Sequence, residues 1–394
     1  MKLPVYLDYA ATTAVAPEVL DAMLPYFTEA YGNPSTLYGV GMAARHGVDT
    51  ARETIADALN ASPEEIIFTA GGTESDNAAI YSAVRTGPKH KRHLLTTPIE
   101  HSAVLEPMKT LARQGYDVEY LPVDSDGQVP FVELARRLRS DTLFVSVMHA
   151  NNEIGTIQPI AEIGALCREH GVLFHTDAVQ TFGKLPLDVR AMKIDFLSIS
   201  GHKLHGPKGI GALYARRGLA FARFMEGGEQ EKGRRGGTLN VPGIVGIGKA
   251  TELALREMQG EICRLTELRD ALLARLEDAI PGLRVNGSRE YRLPNNLNFC
   301  VPGVEGESLL LALDAAGICA SAGSACHSGS TEPSHVLKAI QTPYDLARGA
   351  LRMTLGRDTT PEAVAYAAET LTQIVRDLQG LRGSDAGLVG LSAS

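Results

Sequence analysis

The sequence predicts an α/β fold: a large domain with a mainly parallel seven-stranded sheet, followed by a smaller α+β C-terminal domain. Three observations predict it. At 394 residues the chain exceeds one typical core. From about residue 43 short apolar strand patterns alternate with helical ones, and strands separated by helices imply a parallel sheet covered on both faces. After about residue 260 the alternation gives way to long amphipathic helices and short strands.

Val48, Ala51, Ile55 and Leu59 stand at helical spacing. A buried strand follows at 65–70, then a helix at 75–84 opened by glycines. Further strands are expected at 93–97, 117–123, 142–148, 172–177, 194–199 and 210–215, with helices at 102–113, 131–139 and 160–169 between several of them. The second part reads as a helix at 261–279, strands at 283–286 and 295–301, a helix at 306–316, a strand at 350–355 and a last helix at 361–379. The expected division is a large domain over 16–260, a small domain over 1–15 and 261–381, and a disordered tail of small and polar residues over 382–394.

Hydrophobic residues are 44% of the chain and charged residues 21%, an ordinary globular balance. The net charge is −8, and an acidic chain without a basic block is a poor ligand for nucleic acid. The compact basic cluster of Lys232, Arg234 and Arg235 reads equally as a solvated loop or a ligand-facing one. No apolar run reaches membrane length, and residues 1–13 lack a signal-peptide pattern, so a cytoplasmic protein is expected. The five cysteines, Cys167, Cys263, Cys300, Cys319 and Cys326, form no C-x-x-C pair. That argues against a disulfide framework or a zinc site, and for one reactive thiol among buried ones.

Ligands of open α/β sheets bind beyond the carboxyl ends of the strands, so the residues there are the candidates. After Ile66-Ile67-Phe68 comes Thr69-Ala70-Gly71-Gly72-Thr73-Glu74-Ser75, a glycine turn opening a helix. Helix N-termini favour phosphate, although alone the segment reads more readily as a plain turn. After Leu94-Leu95-Thr96-Thr97 comes His101, which could stack on a ring, move a proton or simply bond within its loop. Asp177 ends the apolar strand at 172–177, where a carboxylate caps a helix or partners a buried cation. Lys203 and Lys208 both follow the strand at 194–199. A desolvated lysine is prepared to form a Schiff base. Lys208 sits in a Gly-Pro-Lys-Gly turn, the more exposed setting.

Singly these signals are ambiguous. Together, a phosphate cradle, a stacking histidine, a carboxylate for a pyridinium nitrogen and a Schiff-base lysine are what pyridoxal 5'-phosphate requires. A second constellation is Ser321-Ala322-Gly323-Ser324-Ala325-Cys326-His327-Ser328-Gly329-Ser330. Small polar neighbours make Cys326 the exposed, reactive thiol of the five. The other four lie on patterned helices or strands and read as structural.

With these motifs the chain resembles the cysteine desulfurases of the NifS/IscS group, class V aminotransferases of the pyridoxal-phosphate-dependent transferase fold type I. The resemblance runs from Val5 to about Leu378. It rests on Tyr6-Leu7-Asp8 with Ala10-Ala11-Thr12-Thr13, Tyr31-Gly32-Asn33-Pro34-Ser35, Gly72-Thr73-Glu74-Ser75-Asp76-Asn77, Ala150-Asn151-Asn152-Glu153 and His175-Thr176-Asp177-Ala178-Val179-Gln180. Ser200-Gly201-His202-Lys203, Arg235-Gly236-Gly237-Thr238 and Gly323-Ser324-Ala325-Cys326 complete it.

The resemblance implies a role for each matched residue. Lys203 would carry the cofactor as a Schiff base, Asp177 would pair with the pyridinium nitrogen, and His101 would stack on the ring. Asn152 and Gln180 would contact the 3-hydroxyl side. Gly72, Thr73, Ser200 and His202 would hold the phosphate, and Thr238 would reach the phosphate of a partner subunit, implying a homodimer. Asn33 and Arg352 would bind the substrate carboxylate, Arg352 by its bidentate fork. Lys203 and His101 would move protons, and Cys326 would take sulfur from L-cysteine as a persulfide, releasing L-alanine. An iron–sulfur scaffold or another sulfur acceptor, including a tRNA-thiolation protein, would be the partner. No resident metal is implied, although Cys326 could ligate a cluster transiently.

His327 and Glu229 depart from the residues common in relatives, and the C-terminus carries no recognisable scaffold-docking ending. Selenocysteine lyase and aminotransferase chemistry use the same fold, and a noncatalytic sulfur-carrier platform is the alternative outside enzymes. A thiol in a small-residue loop argues against transamination. The intact set of Lys203, Asp177 and His101 argues against a retired enzyme.

Overall fold

The computed structural model describes residues 4–322 and 333–389, with side chains to 380. Cys326 and His327 lie outside the described residues, as do 390–394 of the expected tail. After a short strand β1 (Val5–Tyr6), seven strands build the main sheet. They are β2 (Ile66–Thr69), β3 (His93–Thr96), β4 (Asp117–Tyr120), β5 (Thr142–Ser146), β6 (Leu173–Asp177), β7 (Phe196–Ser200) and β8 (Gly211–Ala215). Their order across the sheet is β2-β8-β7-β6-β5-β3-β4. β8 runs antiparallel to both neighbours and every other pairing is parallel. All seven expected strands form.

The two-residue period of the strands sorts their side chains onto two faces. Ile66, Phe68, Leu95, Val145, Leu197 and Tyr214 belong to one buried cluster. Ile67, Leu94, Phe144, Phe196 and Leu213 belong to another, closed by the helices Gly72–Thr86 and Ser102–Arg113. Both faces are covered, which is why these strands read as continuous apolar runs.

A third core gathers the remaining strands, β9 (Arg284–Val285), β10 (Asn296–Cys300), β11 (Ile318–Cys319) and β12 (Ala350–Thr354), with the helices Gly306–Ala315 and Pro361–Val389. β12, β10 and β9 form an antiparallel sheet, and β1 pairs in parallel with β11. Val5 and Leu7 therefore pack in this core, while Ala16 already packs in the first.

Two helices run longer than the sequence pattern suggests. The helix expected at 261–279 is Val241–Ala279. Its first turns carry glycines, which oppose helix formation in isolation, but a Cβ on Gly246 would come 2.7 Å from the Met23 sulfur, and one on Gly248 2.6 Å from Ala51 Cβ. Close packing, not backbone freedom, accounts for them. Val241, Ile244, Ile247, Ala250 and Leu253 belong to the first core, and Leu265, Leu268, Leu272 and Leu276 to the third, so one helix ties both together. The last helix, expected at 361–379, continues to Val389 into the segment expected to be disordered.

Candidate active site

Residues beyond the carboxyl ends of β2, β3, β5, β6 and β7 line one cavity of about 310 Å³, joined by Ala10 and Ala11 of the N-terminal strap and by Arg352 of β12. Each candidate side chain gets there by a local device. Asp177 is the last residue of β6. Lys203 ends a single 3₁₀ turn, Gly201–Lys203, that directly follows β7. His101 caps the helix Ser102–Arg113, its Nδ1 accepting the Ala103 N–H at 3.1 Å. Gly72 and Thr73 open the helix Gly72–Thr86, whose first N–H groups have no partner inside the helix.

Lys203 Nζ donates to the carbonyls of Ala10 at 2.5 Å and Ala11 at 2.7 Å, so the strap anchors the amine at the cavity wall. Gln180 Nε2 donates to the same Ala10 carbonyl at 3.0 Å. Lys203 is half-buried and lines the cavity, whereas Lys208 is exposed. Arg352 is 2% exposed. It donates through Nη1 to the Asn152 carbonyl at 2.9 Å and through Nη2 to Asp8 Oδ1 at 2.7 Å.

The electrostatics are those of a dry pocket. Burial, and then the neighbouring Asp76, push the Asp177 carboxyl up to about 7, with His101 and the Val179 N–H acting the other way. Burial pushes Asp76 up to about 7 as well, against a hydrogen bond from Ser198. Burial lowers His101, Asp177 opposes this, and Lys203 and His335 add to it. His202, bonded to Thr12 Oγ1 at 3.0 Å, falls to about 4 through burial and then through Lys203, Lys208 and Lys184.

These residues fit pyridoxal phosphate. Asp177 is a deeply buried carboxylate that accepts the Val179 N–H at 2.9 Å, and a protonated ring nitrogen is the cation it suits. The cradle is shaped for close approach: Gly71 has φ +155°, and a Cβ on Gly72 would lie 2.7 Å from Val179 Cγ2. A phosphate can therefore reach the helix N-terminus directly. Ser200 and His202 line the same cavity.

Residues 5–366 match the family model aminotransferase class-V. The chain belongs to the class-V aminotransferase family. Among members of this family, it is 50% identical to the cysteine desulfurase IscS of Dictyoglomus turgidum, over 96% of each chain. A solved NifS-like protein superposes with a TM-score of 0.90 at 40% identity, covering 95% of this chain and all of that one. A structure of SspA in complex with cysteine gives a TM-score of 0.78 at 38% identity, over 89% of this chain and 98% of the other.

Within this class-V fold, Gly72, Thr73, His101, Asn152, Asp177, Gln180, Ser200, His202, Lys203 and Arg352 come together in the cavity. Asn33 and Thr238 are exposed and are not among its lining residues. Of the basic cluster, Lys232 is exposed, as a solvated loop would have it, while Arg234 and Arg235 are half-buried and bonded within the chain. Arg235 forks onto Glu74 at 2.8 and 3.1 Å, and Arg234 donates to the Glu231 and Ile66 carbonyls. Glu231 in turn pairs with Arg52 at 2.6 Å, so the loop is bound into the protein by its charges. Cys167 and Cys300 are buried as expected of structural thiols, but Cys263 is exposed.

Sequence reasoning assigned no role to Asp76, Glu153 or His335, all of which line the cavity. Asp76 was within reach of inference. It lies four residues after Gly72 on the same helix, hence on the same face.

Proposed function

We propose that this chain is a pyridoxal-phosphate-dependent cysteine desulfurase, converting L-cysteine to L-alanine with transfer of sulfur to Cys326. The convergence of Lys203, Asp177 and Arg352 on one cavity carries the reading. Its 50% identity to a cysteine desulfurase and its likeness to a cysteine-bound protein support the substrate. Bound there, pyridoxal phosphate supplies an electron sink for negative charge at the substrate Cα.

The chain's own residues do the rest. The first turn of the helix Gly72–Thr86, with Ser200 and His202, holds the phosphate. Asp177 keeps the ring nitrogen protonated, and the ion pair this forms makes Asp177 a stronger acid than it is alone. His101 covers the ring. Asn152 and Gln180 attend its 3-hydroxyl side. Arg352 receives the substrate carboxylate, and a guanidinium already fixed by Asp8 and the Asn152 carbonyl loses little freedom in doing so. Lys203 carries the cofactor and then moves the Cα proton. The Cys326 thiolate attacks the substrate sulfur, forming the S–S bond of a persulfide as the Cβ–S bond breaks.

The reading includes a homodimer. Leu37, Tyr38 and Met42 are 85%, 58% and 59% exposed in one stretch, an apolar surface suited to a second copy. Thr238 and Asn33, both off this chain's own cavity, would then serve the partner's. We place the protein in the cytoplasm, supplying sulfur to an acceptor that builds iron–sulfur clusters. Consistent with that, no helix among the described residues is long and apolar enough to cross a membrane.

The test supplies the loaded protein with L-cysteine and a thiol reductant and measures alanine and sulfide. Equal amounts of both are expected from the wild type. Cys326→Ser should keep the cofactor absorbance and lose sulfide release. A Cys326→Ser protein that still transfers sulfur at the full rate overturns the assignment of Cys326.

A further inference from the structure

Three imidazoles line the cavity. His202 is bonded to Thr12 Oγ1 at 3.0 Å and belongs to the phosphate side, and the hydrogen bonds of the other two, His101 and His335, give them opposite chemical senses. His101 Nδ1 accepts a backbone N–H, so the neutral ring carries its proton on Nε2 and offers the cavity a donor. His335 Nε2 lies 3.0 Å from the Glu100 carbonyl oxygen. A carbonyl can only accept, so Nε2 holds the proton and the neutral ring keeps its lone pair on Nδ1. His335 is exposed while His101 is half-buried, so His335 can exchange protons with water directly.

We propose that His335 is a further catalytic residue, whose Nδ1 takes the proton that an incoming amino acid must lose from its α-ammonium group. The substrate N–H bond breaks, its electron pair stays on the nitrogen, and a new N–H bond forms at Nδ1. The imidazolium then releases that proton to water. An amino acid enters as a zwitterion, and its nitrogen is not a nucleophile until the proton leaves.

The other groups around His335 suit this task less well. On the loop after β3, His101 presents a donor, and Glu100 is pushed up to about 8 by burial, against hydrogen bonds from Met148 and Thr97. After β5, Glu153 accepts the Ser334 hydroxyl at 2.5 Å. Across the cavity, Arg352 cannot accept a proton, Asp177 faces the position of the ring nitrogen, and in the loaded protein the Lys203 nitrogen is taken up in carrying the cofactor.

This inference rests on an amino-acid substrate, as read above. The test compares His335→Gln and His335→Phe with the wild type, all loaded with pyridoxal phosphate to the same absorbance. With L-cysteine at about pH 7, kcat/KM should fall about tenfold or more, kcat should fall less, and the deficit should close as pH rises toward the pKa of the substrate amine. Added imidazole should restore part of the lost rate. The absorbance change on mixing with L-alanine, which has no sulfur, should slow to the same degree. A pH profile of unchanged shape without imidazole rescue overturns the inference and leaves His335 a structural residue. If the wild type makes no sulfide from cysteine while the L-alanine response still shows the His335 deficit, the desulfurase reading fails and this one stands.

Discussion

Arg352 and Asp8 form an ion pair, Nη2 to Oδ1 at 2.7 Å, where β12 meets the N-terminal strap. The guanidinium is 2% exposed in its side chain and the carboxylate 17%. The pair thus joins the third core to the cavity and fixes the orientation of a group assigned to the substrate carboxylate.

Arg352→Lys should therefore separate charge from geometry. A lysine keeps the charge and loses the planar fork. KM for L-cysteine is expected to rise about tenfold or more with a smaller change in kcat, read by steady-state kinetics. Arg352→Ala also removes Asp8's partner, and breaking a buried pair typically costs about 3–5 kcal/mol, read by denaturant unfolding.

Removing the cofactor should make stability strongly pH-dependent. Asp76 and Asp177 titrate at about 7 in the folded chain, and Glu100 at about 8, each raised chiefly by burial. Unfolded carboxyls titrate at roughly 4. The folded apoprotein thus binds more protons between those values, and its stability falls as pH rises from about 4 to about 8. Thermal unfolding of the apoprotein should show this fall. Adding pyridoxal phosphate should flatten it, because the ring's positive charge lowers the Asp177 pKa.

Lys184 gives a second pH signature of opposite sense. Burial, and then Lys203, lower it from the ordinary lysine value to about 7. Its Nζ has no hydrogen-bond partner among the described residues. The unfolded chain binds its proton up to about pH 10, so this lysine costs stability near neutrality and ceases to at high pH. Lys184→Met should raise the melting temperature at about pH 7, by a gain that shrinks toward about pH 10.

Gly72→Ala tests the cradle. The added methyl would meet Val179 Cγ2 at 2.7 Å and Ser200 Cβ at 3.6 Å. Cofactor affinity should fall about tenfold or more, measured by titrating apoprotein with pyridoxal phosphate. Val179→Ala in the same chain should recover part of it, since the contact it removes is the close one.

The strands and the residues at their ends were legible because buried parallel strands are short apolar runs and functional groups interrupt them. Lys203 over Lys208 is the clearest case. Sequence position offered both, the Gly-Pro-Lys-Gly turn pointed to Lys208 as the exposed one, and the structure holds Lys203 half-buried beside the strap. What stayed hidden depends on contacts distant in sequence. The helix Val241–Ala279 begins in glycines that only make sense against Met23 and Ala51. Arg235 read equally as solvated or ligand-facing because its partner, Glu74, lies 161 positions away. His335 reaches the cavity through the Glu100 carbonyl, a contact that no local pattern announces.

The most direct test of the account is a single turnover of loaded protein with sulfur-labelled L-cysteine, followed by mass spectrometry of the peptide containing Cys326. One labelled sulfur atom on Cys326, with one alanine released per cofactor, is the predicted result. Alanine without sulfur on Cys326, or no alanine at all, would contradict it.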